Sequence, residues 1–93
     1  ETYGPGAALL KARPGAFDVV WQDDARKREK SLQTHWMTPI HVDGYVYGSS
    51  GRHLENAELR CIELATGKVM WSEAGFTRCS LLYVDKHFVC LSE

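Results

Sequence analysis

Four histidines, three cysteines and one cluster of charged residues are the side chains of this 93-residue chain with the chemistry to hold a metal or a substrate. His35, His41, His53 and His87 form no HxH or HExxH spacing, so sequence alone puts no two imidazoles on one ion. Cys61, Cys79 and Cys90 make no CxxC pair and are odd in number, which points to free thiols buried as small apolar side chains rather than to a disulfide framework or a zinc ribbon. Ser49, Ser50 and Ser80 lack the GxSxG elbow of a nucleophilic serine, and the glycines are scattered among turns rather than gathered before a helix. Calcium needs six to eight converging oxygens, whereas Asp43, Glu63 and Asp85 are single turn or strand-surface positions. Arg52, His53, Glu55 and Glu58 gather on and beside the stretch SSGRHLENA, a loop of the kind that carries binding groups. No catalytic, cofactor-binding or metal-ligating residue is assigned.

The elements that must position these side chains are short strands. The runs are Pro39 to Val42, Tyr45 to Gly48, Glu58 to Leu64, Lys68 to Trp71, Leu81 to Val84 and Phe88 to Leu91, and no long helical pattern interrupts them. Asp43-Gly44 reads as a two-residue hairpin turn, because glycine accepts the positive φ that a primed turn requires. Thr66-Gly67 reads in the same way between Leu64 and Lys68. With 44% hydrophobic and 25% charged residues the chain has the balance of a soluble globular protein. Its net charge of −1 provides no basic field for nucleic acid, and its apolar runs are far too short to span a bilayer. The run QDDARKREK, Gln22 to Lys30, nearly balances its own charges and is expected to be a solvated loop or a short helical turn.

The strand pattern recurs. TPIHVDGYVYGSSG from Thr38 aligns without a gap on SLLYVDKHFVCLSE from Ser80, matching Val42 with Val84 and Asp43 with Asp85 at an offset of 42 residues. Val19-Val20-Trp21 matches Val69-Met70-Trp71 at an offset of 50, and upstream this brings Leu9 opposite Leu59. A repeat of that length with about four strands is the size of a propeller blade. The fold expected is therefore all-β, a partial β-propeller of antiparallel four-stranded blades amounting to about two blades. Residues 1–34 are the end of one blade plus the long polar loop, 35–74 one full repeat, and 75–93 the start of the next. Blades bury both faces against neighbours, so the expected partners are further blades of the same propeller or other copies of the chain. His35 and Trp36 precede an expected inner strand and Arg78 occupies the matching position of the next repeat, which makes these three the candidates for facing a ligand.

The stretch ELRCIELATGKVMW, Glu58 to Trp71, resembles the PQQ-like repeat, in which a strand, an alanine-threonine-glycine turn and a strand ending in tryptophan follow one another. The signature comprises Ala65, Thr66, Gly67 and Trp71, preceded by the strand pair around Asp43 and Gly44. The resemblance implies that Trp21 and Trp71 pack against the turn of a neighbouring repeat. The first copy departs from it, with Pro14-Gly15 where the threonine-glycine turn belongs. Proteins of this family are either quinoprotein dehydrogenases or binding scaffolds, among them the lipoprotein of the bacterial outer-membrane β-barrel assembly machinery. The resemblance thus implies a non-catalytic binding scaffold with a protein partner, in the periplasm or another extracytoplasmic space. The alternative it allows is a PQQ-dependent oxidoreductase whose PQQ and calcium ligands lie outside this segment, since the chain has no adjacent cysteines.

Overall fold

The computed structural model describes residues 4–93, and in them the chain is all-β. Hairpin β1 (Ala8–Arg13) and β2 (Ala16–Gln22) comes first. A four-stranded antiparallel meander follows, made of β3 (Ile40–Val42), β4 (Tyr45–Ser50), β5 (Glu58–Glu63) and β6 (Val69–Ala74) in that spatial order. A second hairpin, β7 (Cys79–Val84) and β8 (His87–Ser92), completes the three open sheets among the described residues. The helical content among the described residues is one 3-10 turn at Leu54–Asn56. After Gln22, which ends β2, residues 23–30 form an irregular connection with a turn and a bend, as its polar composition leads one to expect.

Turn chemistry fixes the registers. Asp43 and Gly44 have φ of 50° and 84°, and Asp85 and Lys86 have φ of 49° and 61°, so both hairpins close on a two-residue turn with positive φ at each position. That twist matches the twist of the strands and sets Val42 opposite Tyr45 and Val84 opposite His87. The turn between β5 and β6 differs from the two-residue hairpin expected from Thr66-Gly67. It occupies all five residues from Leu64 to Lys68, with Glu63 N donating to Lys68 O and Gly67 N to Glu63 O, both at 2.8 Å. Thr66 Oγ1 donates to Glu63 Oε1 at 2.7 Å and accepts from Lys68 N at 3.2 Å, so the threonine braces a wider loop.

The two tryptophan-bearing strands share an irregularity that single-residue matching overlooks. Trp21 lies opposite Leu9 while Val19 lies opposite Leu10, leaving Val20 outside the ladder; Trp71 lies opposite Cys61 while Val69 lies opposite Ile62, leaving Met70 outside. The position that corresponds to Leu9 is therefore Cys61, and the expected pairing of Leu9 with Leu59 is corrected. The bulge is common to both pairs, and the offset changes because the hairpin closed by Leu10 and Val19 is two residues longer than the one closed by Ile62 and Val69.

Alternation along β4 and β5 divides the central sheet into two faces. Tyr47 and Cys61 point to the side of β7–β8, where the Tyr47 and Phe88 rings lie 4.5 Å apart. Gly48 and Arg60 point to the other side, toward Leu32, Thr34 and Pro39. A Cβ on Gly48 would come within 3.2 Å of both Pro39 and Thr34, which is why the smallest residue stands there. The core is thin: Leu32, Ala57, Cys61, Ile62 and Cys79 are the buried apolar residues among those described. The outward faces of the two hairpins stay apolar and exposed, with Leu10, Phe17 and Val19 on one and Leu82, Val84, Val89 and Leu91 on the other.

Candidate functional site

The segment from Ser31 to Pro39 brings together the three residues singled out for ligand contact. Ser31 and Thr34 are buried, and Gln33 anchors the segment to β4 through its N donating to Ser50 Oγ at 2.9 Å and its carbonyl accepting from Gly51 N at 3.1 Å. His35 takes a left-handed φ of 56°, and its Nε2 lies 2.6 Å from the Gly51 carbonyl. That bend throws the next side chain outward, leaving Trp36 64% exposed. The His35 and Trp36 rings are 5.6 Å apart, and the Arg78 guanidinium lies over the Trp36 ring, 4.9 Å from its centroid. Glu93 pairs with Arg78, with Nε and Nη2 at 3.1 and 3.0 Å from Oε2.

Trp36 and Arg78 are equivalent positions of the two sequence copies, and they touch each other. The arrangement is a rigid aromatic plane with a cation held over it and a carboxylate paired with that cation, at an edge where β3 meets β7. It holds no nucleophile paired with a base. Chemically it suits stacking and charge-assisted contact rather than bond cleavage. Glu93 is the member that sequence reading did not identify, because an ion pair spanning the ends of β7 and β8 has no signature in residue spacing.

The signature tryptophans fare differently from each other. Trp21 leaves β2 to meet the β5–β6 turn: its Nε1–H donates to Leu64 O at 2.7 Å, and its ring sits where a side chain on Gly67 would be, 2.8 Å from the position of a Cβ there. Gly67 also has φ 75°, so both backbone and space require glycine. Trp71 is 44% exposed and tilts against Tyr47, with ring centroids 6.1 Å apart. Ala65 and Thr66 shape the turn that receives Trp21, while Asp43 and Gly44 form the β3–β4 turn, whose Gly44 carbonyl accepts from Leu64 N at 2.9 Å.

All three cysteines are free thiols, with Cys61 and Cys79 buried. Burial pushes the Cys79 thiol up to about 12, with help from the neighbouring Cys90. Burial also raises Cys61, against a hydrogen bond with Tyr47 that lowers it, and burial raises Tyr47. These groups are neutral near pH 7, the reverse of what a reactive thiol needs. Among the described residues no three His, Cys, Asp or Glu converge, and Asp43, Glu63 and Asp85 sit in or beside separate turns. The residues present do not fit a calcium site, and no chemical step through calcium or PQQ is derived from them. Among the described residues no helix is long and apolar enough to cross a membrane.

Compared with protein-family models, curated proteins and solved structures, the chain matches none.

Proposed function

We propose that this chain is a segment of a PQQ-like repeat β-propeller serving as a non-catalytic binding scaffold. In this reading β1–β2 is the outer half of one blade, β3 to β6 a whole blade, and β7–β8 the inner half of the next. The observation that carries it is the docking of Trp21 on the Leu64–Gly67 turn, a link from one sheet to the following one made by the residues of the family signature. The exposed surface agrees in magnitude. A compact monomer of this mass exposes about 5,400 Å², whereas the chain exposes 6472 Å², and the outward faces of both hairpins are among its exposed apolar surface. Trp36 and Arg78 supply the partner-facing edge, since tryptophan and arginine dominate the energetics of protein contacts.

Further sheets cover the outward faces in this reading, whether from the same propeller or from other copies. Sedimentation velocity over a wide concentration range tests it. The chain should associate reversibly, and Leu82→Lys combined with Leu91→Lys should suppress association while the far-UV signature of strands is kept. A chain that remains monomeric at every concentration would overturn the coverage of these faces by other copies.

A further inference from the structure

Two of the three cysteines meet on one face of the β7–β8 hairpin. Cys79 stands opposite Ser92 and Leu81 opposite Cys90, so the two cysteines are diagonal neighbours whose side chains share a face. That face is the covered one. Cys79 is buried and Leu81, Phe88 and Cys90 are half-buried, whereas the alternating residues Ser80, Leu82, Val89 and Leu91 are exposed. Phe88 closes the face against Tyr47 of the central sheet, with ring centroids 4.5 Å apart, and the Cys79 and Cys90 thiols lie within hydrogen-bonding reach of each other. Cys61 belongs to the central sheet, where it stands opposite Tyr47 and hydrogen-bonds with that side chain.

A pair of thiols held in this way can close a disulfide or hold one soft ion. A disulfide needs Cβ atoms about 3.5–4.5 Å apart. Diagonal neighbours across an antiparallel pair have Cα atoms about 7–8 Å apart and Cβ atoms only somewhat nearer, so closing the bond here requires the strands to shift. An ion seated between the two sulfurs spans the larger separation with the strands in place. Zinc takes four ligands and calcium six or more, and among the described residues no third His, Cys, Asp or Glu joins the pair. Ser49 hydrogen-bonds with Cys79, but its hydroxyl is a hard, neutral oxygen and a poor ligand for a soft ion. Thiolates select copper(I) among the biological metals, and that ion accepts two sulfurs in line as a complete ligand set.

We propose that Cys79 and Cys90 form a two-sulfur binding site for copper(I). Binding replaces the two S–H bonds by two Cu–S bonds and releases both protons to solvent, with no change of oxidation state. The half-buried Cys90 is the point of entry, and the buried Cys79 is the inner ligand. The proposal is independent of the scaffold reading, since it needs only the β7–β8 hairpin and the sheet that covers it. The test is an anaerobic titration of the reduced chain with copper(I) held by a coloured chelator, so that transfer of metal to the protein is read as loss of colour. One copper(I) per chain is expected, with affinity lowered at least ~10-fold by Cys90→Ser and by Cys79→Ser and unchanged by Cys61→Ser. Circular dichroism verifies that each variant keeps its strands, and the less buried Cys90 keeps the test decisive if Cys79→Ser does not fold. Failure of the chain to take copper(I) from the chelator overturns the proposal, as does full affinity in Cys90→Ser or an equal loss in Cys61→Ser. Zinc bound as tightly as copper(I) overturns the two-sulfur assignment.

Discussion

The Trp21 indole joins the first hairpin to the four-stranded sheet. Its N–H bond to Leu64 O is 2.7 Å long and partly buried, so removing the donor leaves a carbonyl without its partner. Trp21→Phe should cost about 1–2 kcal/mol in urea denaturation. Trp71 invites the larger expectation of about 3–5 kcal/mol that applies to a buried aromatic truncated to alanine. At 44% exposure and with Tyr47 as its ring neighbour, its replacement by alanine should cost only about 1 kcal/mol in this chain. The cysteines offer a second residue-scale check. Cys79 moves from an ordinary thiol value of 9.0 up to about 12, so the folded chain retains a proton that the unfolded chain loses. Stability from this group is complete below pH 9 and is lost as pH rises toward 12. Alkylation at pH 8 should accordingly modify the less buried Cys90 well before Cys79, as peptide mass mapping would show; equal rates would contradict the burial of Cys79.

Turns decide the behaviour of the elements. Gly67 and Gly44 both hold positive φ, 75° and 84°, yet a Cβ at Gly67 would strike the Trp21 ring at 2.8 Å, whereas one at Gly44 meets nothing within 4 Å. Gly44→Ala should therefore cost about 1 kcal/mol from backbone strain alone. Gly67→Ala should cost clearly more, because it also displaces the ring; equal losses of thermal stability would mean that Trp21 is not seated on that turn. The sequence made the hairpin turn Asp43-Gly44 legible through its residue chemistry, and short β-rich runs between turn signals marked six of the eight strands among the described residues. It did not reveal β1 and most of β2, although Leu10-Lys11-Ala12-Arg13 and Phe17-Asp18-Val19 alternate apolar with charged residues and Lys11 lies opposite Asp18. Nor did it reveal the five-residue β5–β6 turn, which is set by Thr66 bonding to Glu63 rather than by the glycine alone. The bulges at Val20 and Met70 were hidden for the same reason: register depends on the partner strand, which local composition does not describe.

At the scale of the whole molecule, the candidate site shows how far residue spacing reaches. Equivalence of Trp36 and Arg78 in the two sequence copies brought both to notice, together with His35, and the fold places the three side by side. Thin sheets with exposed apolar outer faces depend on links between sheets, and the Trp21 link is the one on which the scaffold account rests. Hydrogen exchange of the three indole N–H protons, followed by NMR, tests it most directly. The account predicts that the Trp21 indole proton exchanges far more slowly than those of Trp36 and Trp71; exchange of all three at the same fast rate would contradict it.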